Sequence, residues 1–232
     1  MKTPAVSIIT VTYNAAAAIE TTIKSIIDQP FGDYEYLVID GNSTDGTKEI
    51  IQKYSDKITK FISEPDKGIP DALNKGVKLA TGKYIVFILA GDELFTIPYK
   101  QLAHSDADVV CFPVKLTGDE VHYPEINNWL KIRNTIPHQG AYFKRTPNLA
   151  HDLKYRYYCD FALCQIYYKN KLRFEIHDGP IVAFHGLDGA TSDKKNFHEV
   201  FSIIKENYGT PYKVLSFIYW KYFGLMKRLK MR

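Results

Sequence analysis

Four short apolar runs, each cut off by polar residues, constrain this chain more than anything else in it. Val6-Ser7-Ile8-Ile9-Thr10-Val11-Thr12 stops at Tyr13-Asn14, and Tyr36-Leu37-Val38-Ile39 stops at Asp40. Phe61-Ile62 is followed by Glu64 and Asp66, and the run from Tyr84 to Leu89 meets Ala90-Gly91-Asp92-Glu93. Runs of this length and β-branched content read as strands, the last of them buried on both faces. Segments of helical period lie between them. Ala15 to Asp28 carries Ile19, Ile23, Ile26 and Ile27. A second segment opens at Thr44-Asp45-Gly46-Thr47 and carries Ile50, Ile51 and Tyr54. A third, Ile69 to Ala80, carries Leu73, Val77 and Leu79. Such β-α alternation predicts a doubly wound, mostly parallel α/β sheet flanked by helices. The polar residues then fall at the carboxyl ends of the strands, the edge where open α/β sheets bind ligands. A carboxylate there, such as Asp92, either suits a hard divalent cation carrying phosphates or caps the next element.

Beyond Pro98 the pattern changes. Strands are expected at Asp108 to Leu116, at Glu120 to Tyr123 after a Gly118-Asp119 turn, and at His138 to Phe143, Leu172 to Ile176 and Pro180 to His185. Helices are expected at Asn127 to Lys131, Asp160 to Asn170 and Asp193 to Tyr208. The apolar content, 45% of 232 residues, is ample for a core. The net charge of +4 is too mild to argue for nucleic acid. The basic excess is local: Lys213 to Arg232 contains six Lys or Arg and no acid. That stretch lies in a helix candidate, Pro211 to Arg232, with Phe217, Trp220 and Phe223 among its apolar residues. A basic helix of this kind either lies in a membrane interface or docks on the domain or a partner. Cys111, Cys159 and Cys164 share no metal-ligand or redox spacing and read as small buried hydrophobes. No apolar stretch approaches the ~20 residues of a spanning helix, and the amino end lacks a signal-peptide core, so a cytoplasmic protein is expected.

Certain stretches carry a resemblance. Val6 to Asn14, Ile39 to Thr47, Ser63-Glu64-Pro65-Asp66-Lys67-Gly68-Ile69, Asp71 to Gly76, Ala80-Thr81-Gly82 and Ala90-Gly91-Asp92 resemble, in this order, family 2 glycosyltransferases of the bacterial surface-polysaccharide type. The likeness is dense over roughly residues 5–95. It thins afterwards to His138-Gln139, Tyr157-Tyr158-Cys159-Asp160-Phe161 and Ala183 to Ser192. The resemblance implies a GT-A, Rossmann-like fold over residues 1–210, with a nucleotide-sugar half at 1–98 and an acceptor half at 99–210. Residues 211–232 would form the amphipathic tail. It also implies inverting, metal-dependent transfer of a sugar from a nucleotide sugar, UDP-linked, to a glycan or lipid-linked acceptor. The place would be the cytoplasmic face of a bacterial membrane.

Within that resemblance, Thr10, Thr12, Tyr13, Asn14, Asp40 and Asp71 form the nucleoside pocket. Tyr13 offers a ring face to a pyrimidine, or simply packs at the strand end, and Asp40 can accept an imide N–H. Lys75 approaches a phosphate or is a solvated helix face, and Gly91 belongs to the donor motif. Asp92 would hold Mn2+ or Mg2+, a Lewis acid for the departing nucleoside diphosphate. Leu89 stands where relatives often carry Asn or Asp, which leaves a second carboxylate ligand open. His185 is either an additional ligand or a hydrogen-bonded strand-end residue. Asp160 matches the general base of inverting transfer, and its alternative is the N-cap of its helix. His138 and Gln139 match an acceptor-side His-Gln pair, and Gly186 to Ser192 a closing loop. Trp129, Tyr155, Tyr157 and Tyr158 either stack on sugars or pack. Two other classes compete. A sugar-nucleotide nucleotidyltransferase would need a Gly-rich basic phosphate loop, which Thr12-Tyr13-Asn14-Ala15 is not. A non-catalytic sugar- or nucleotide-binding module fits the single Asp92 but has no use for Asp160.

Overall fold

A computed structural model of the chain describes residues 3–30, 32–118, 120–186 and 194–230. The amino-terminal half alternates strand and helix: β1 (Val6–Thr12), α1 (Ile19–Ile27), β2 (Tyr34–Asp40), α2 (Thr47–Gln52), β3 (Lys60–Ser63), α3 (Ile69–Leu79) and β4 (Tyr84–Phe87). There follow β5 (Glu93–Leu94), α4 (Tyr99–His104), β6 (Val109–Cys111), β7 (Val114–Leu116), β8 (Val121–His122), β9 (Ala141–Lys144) and α5 (Cys159–Lys169). The chain then forms β10 (Phe174–Ile176), β11 (Ala183–His185), α6 (His198–Tyr208) and α7 (Thr210–Lys230). Single 3-10 turns cover Asn128–Lys131, His138–Gly140 and Lys194–Phe197.

The large sheet has the order β10-β6-β9-β4-β1-β2-β3. All its pairs are parallel except those of β9, which runs antiparallel to both β4 and β6. The expected mostly parallel sheet flanked by helices is therefore the observed one. β1 is buried along its whole length, and its side chains alternate between two cores. Ile9 and Val11 join Leu37, Ile39, Leu73 and the apolar residues of α5 and α6 on one face; Val6 and Ile8 join Ile19, Ile23 and Val38 on the other. α3 reaches the first face closely because Gly76 has no side chain. A Cβ there would lie 2.5 Å from Ile9 Cγ2.

Several boundaries differ from the sequence expectation, each for a local reason. The expected strand Asp108 to Leu116 breaks at Phe112-Pro113, where proline offers no N–H to a ladder. Its first part, β6, stays in the large sheet and its second, β7, enters a small sheet of order β5-β11-β7-β8. α1 begins at Ile19, after turns at Ala16–Ala18. The run from Tyr84 leaves the strand after Phe87, although Ile88 and Ala90 still donate N–H bonds to Ile9 and Val11. α4 was absent from the expectation. The three cysteines are buried and free, as expected. Among the described residues no helix is long and apolar enough to cross a membrane.

Candidate functional site

The small sheet determines where the carboxyl edge of the large one gains its second ligand-type side chain. β11 pairs antiparallel with β5, Ala183 opposite Leu94 and Phe184 opposite Glu93. The next residue along, His185, therefore comes back over Asp92. His185 Nδ1 lies 2.9 Å from Asp92 Oδ1, which also accepts the Gly186 N–H at 3.2 Å. Asp92 Oδ2 accepts from Gln139 Nε2 at 2.9 Å and from the Leu89 N–H at 3.3 Å. Gln139 Nε2 in turn stands 2.7 Å from His185 Nδ1. Asp92 is only 4% exposed. Its own carbonyl takes the Thr22 hydroxyl at 2.8 Å, and that hydroxyl takes the Gly91 N–H at 3.0 Å. Gly91 adopts φ +100°, which favours glycine at this turn.

This trio tests what the edge can hold. One imidazole nitrogen faces both a carboxylate oxygen and an amide N–H, and it cannot donate to the first while accepting from the second. With Nδ1 protonated, His185 donates to Asp92 Oδ1 while Gln139 donates to Asp92 Oδ2; with Nδ1 unprotonated, the same nitrogen and the carboxylate are both free to face a cation. The donor set, one carboxylate and one imidazole, fits a divalent ion that completes its shell with phosphate oxygens and water. Among the described residues no cluster of three or more His, Cys, Asp or Glu would hold a metal without such help. Burial pushes the His185 pKa down, but its hydrogen bond to Asp92 and the charges of Asp92 and Asp160 outweigh burial, and the net shift is upward.

Asp160, on α5, is near enough for its charge to act on this cluster. It is the second residue of α5, whose N-cap is Tyr158, so the N-cap alternative for Asp160 does not hold. The end of the helix is served by Glu199 instead. Its buried carboxylate accepts the N–H groups of Arg156, Tyr157 and Tyr158 at 2.9, 2.8 and 3.1 Å. Asp160 Oδ2 accepts from Asn134 Nδ2 at 3.4 Å. Its charge is felt by both His138 and His185.

The expected nucleoside residues divide sharply. Tyr13 is 65% exposed at the end of β1. A Cβ placed on Gly41 would lie 3.2 Å from the Tyr13 ring and 2.5 Å from Asp66 Oδ2, so ring, bare backbone and carboxylate converge on one slot. Asn14, at φ +47°, ties this edge together: its N–H donates to Ser43 Oγ and its Oδ1 accepts the Thr44 N–H. Asp40 and Thr10 do not line an open pocket, and there the expectation is corrected. Asp40 is fully buried, its oxygens accepting Ser43 N–H at 2.9 Å, Ser63 Oγ at 2.6 Å and Ser43 Oγ. A buried carboxylate must be satisfied in this way, and here it pins the ends of β2 and β3. Thr10 is buried too, donating to Ile88 O and accepting from Tyr36 OH. Thr12 is buried, and its hydroxyl has no partner among the described residues. Lys75 is held by Glu64 at 2.9 Å and by Pro65 O at 2.8 Å, and Asp71 accepts the Lys67 N–H.

On the acceptor side Gln139 belongs to the Asp92 cluster, and His138 turns the other way. Its ring is 8% exposed and stacks on Phe87 with centroids 4.8 Å apart. Tyr155 is likewise packed away, bonded to Glu206. Tyr157 and Tyr158 are half-buried, Tyr158 meeting Phe197 edge-on, while Trp129 is 47% exposed beside Tyr219. The expected closing loop keeps only Gly186 in view, since 187–192 lie outside the described residues. Asp66, Asn134 and Glu199 were not singled out in the sequence as site residues. Asp66 sits in a quoted motif and was within reach, but the other two act across long separations that one sequence does not display.

Beside His138 lies His151, buried, 5.8 Å away centre to centre, with neither ring nitrogen partnered among the described residues. Burial, aided by the charge of His138, brings its pKa down to about 3. An unfolded histidine titrates near ~6.5, so between those values the unfolded chain binds a proton that the native chain does not. Stability therefore falls as the pH falls through this window. From pH 7 to pH 5 the loss due to His151 is about 2 kcal/mol. Urea unfolding at both pH values should show it, and His151→Leu should remove that share of the drop. An equal drop in both proteins would assign it elsewhere.

Comparison with known proteins gives a consistent result. The model of the family described as Glycosyl transferase family 2 matches residues 7–187. A PGL/p-HBAD biosynthesis glycosyltransferase of Mycobacterium bovis is 38% identical over 157 residues, 62% of this chain and 61% of that protein. Among solved structures, S. aureus TarS 1–349 in complex with UDP-GlcNAc superposes with a TM-score of 0.71 at 19% identity, covering 87% of this chain and 66% of that one. The mannosyltransferase PcManGT from Pyrobaculum calidifontis, in complex with GDP-Man and Mn2+, gives 0.61 at 20% identity over 88% of this chain and 61% of that one. At these identities the structures share the fold, and it is the GT-A fold expected from the sequence. The chain thus spans less than two thirds of the length of each.

Proposed function

The chain belongs to glycosyl transferase family 2, and from that premise we propose that it transfers a sugar, with inversion, from a UDP-linked donor to a glycan or lipid-linked glycan acceptor at the cytoplasmic face of a membrane. The observation that carries this reading is the Asp92–His185 pair on the carboxyl edge of the sheet, with His185 under the charge of Asp160 on α5. Residues 1–98 serve the donor. The slot between Tyr13, Gly41 and Asp66 takes the pyrimidine, the ring stacking on Tyr13 and its imide N–H donating to Asp66. Asp92 and His185 would hold Mn2+ or Mg2+, which supplies Lewis-acid stabilisation of the leaving diphosphate. Gln139 holds the Asp92 carboxylate in place. Apart from Gln139 and His185, residues 99–210 serve the acceptor. Asp160 takes the proton of the acceptor hydroxyl as that oxygen attacks the anomeric carbon, and Asn134 keeps its carboxylate turned toward the site. The complexes of TarS with UDP-GlcNAc and of PcManGT with Mn2+ support this donor and metal class.

Thermal unfolding of the purified protein tests it. UDP or a UDP-sugar together with Mn2+ should raise the midpoint, a gain of about 2.7 kcal/mol at 100 times the dissociation constant. Neither alone should match the pair. A shift with a different nucleotide would change the donor, and no shift with any nucleotide sugar would overturn the reading.

A further inference from the structure

α7 has two faces that the rest of the chain treats differently. One docks. Ser216 is fully buried and donates to Ile132 O at 2.6 Å, Tyr219 packs beside Trp129, and Trp220 meets Phe197 edge-on at 4.9 Å. The other face carries Val214, Ile218, Tyr222 and Leu225 at helical spacing, with Leu215 and Met226 alongside. These six stand 36–63% exposed, although all are apolar or aromatic. A continuous exposed apolar stripe of this kind marks a surface meant to be covered.

Charge decides what covers it. Six Lys or Arg and no acid fall between Lys213 and Arg232, and Lys213 and Lys221 are exposed on the helix that bears the stripe. A surface that is apolar inside and anionic at its rim complements such a helix, and a bilayer containing anionic lipid is that surface. No described helix is long and apolar enough to cross, so a bilayer contact made by α7 would lie in the interfacial plane.

The docked face gives this contact a consequence for the site. Trp129 stands next to Tyr219, and the Arg133 guanidinium lies 5.6 Å from the Trp129 ring and 5.9 Å from that of Tyr219. The adjoining Ile132 and Asn134 then link α7 to Asp160, the first through Ser216 and the second through its side-chain amide. We infer that α7 seats its apolar stripe in an anionic bilayer surface and thereby holds the acceptor side of the cleft against the membrane, so that the acceptor is lipid-borne. The acceptor half of this inference rests on the glycosyltransferase reading above.

The test uses the full chain and vesicles of phosphatidylglycerol mixed with phosphatidylcholine, or of phosphatidylcholine alone. The protein should sediment with the anionic vesicles and less so as salt rises. The Ile218→Asp/Leu225→Asp variant should bind at least ten times more weakly with an unchanged thermal midpoint, and Lys213→Glu/Lys221→Glu should weaken binding in the same direction. Equal binding by variants and parent, or none by the parent, overturns the inference. So does a dimer that the Asp substitutions dissolve without any vesicle binding, because a second copy then covers the stripe. UDP titration of the same samples separates the two readings. Vesicle binding without UDP binding overturns the glycosyltransferase reading and leaves the membrane contact standing. UDP binding without vesicle binding does the reverse.

Discussion

Asp160→Asn is expected to lower sugar transfer by about 10²–10⁴-fold, the usual contribution of a positioned general base, while leaving the fold and UDP binding intact. The substitution is well separated from structural effects. The start of α5 is secured by Glu199, not by Asp160, since Glu199 accepts the three backbone N–H groups that precede the helix. Among the described residues the side-chain partner of Asp160 is Asn134, which donates to Oδ2, and an asparagine at 160 still offers it a carbonyl oxygen. What the substitution removes is the ability to take a proton. Turnover of a UDP-sugar should therefore collapse at an unchanged thermal midpoint and an unchanged UDP dissociation constant. Near-parental turnover would remove Asp160 from the reaction.

The sheet was legible because strand burial writes itself locally. The runs around Ile8, Val38 and Val86 are apolar because both faces of the sheet are covered, and their polar ends follow from where the sheet meets solvent. The same local signal placed Asp92 on the ligand edge. It did not foresee the pairing of β11 with β5, which brings His185 onto Asp92 across 93 residues. Nor did it foresee that Gln139 joins the Asp92 cluster while its neighbour His138 stacks on Phe87. Adjacent residues of an irregular segment diverge, and a sequence motif does not say which of them turns inward. Asp40 went astray for a related reason. An acid at a strand end reads as a ligand, yet Ser43 and Ser63 fill its oxygens from neighbouring loops. α4 has one buried residue, Leu102, too little apolar pattern to announce a helix.

The larger test of the donor side is Asp92→Asn, for which two separate losses are expected. The first concerns the protein alone. Both oxygens of Asp92 face donors, His185 and the Gly186 N–H on one side, Gln139 and the Leu89 N–H on the other. An asparagine must turn its NH2 group toward one of these sides whichever way it is rotated. Gln139 can present its carbonyl oxygen instead, but the Leu89 or Gly186 N–H, being part of the backbone, cannot. A buried donor left without an acceptor costs about 1–3 kcal/mol, and urea unfolding in the presence of EDTA should register that cost with no metal involved. The second loss concerns the ion. If Asp92 and His185 together hold Mn2+ under the diphosphate, a neutral amide at 92 should weaken Mn2+ binding in the presence of UDP by at least about 100-fold, since even changes to the outer partners of a ligand reach that figure. Turnover should fall with it, and excess Mn2+ should restore part of it. Lower stability with unaltered Mn2+ binding would make Asp92 the anchor that fixes His185, Gln139 and the turn at Gly91, and would put the diphosphate's counter-charge elsewhere on the edge.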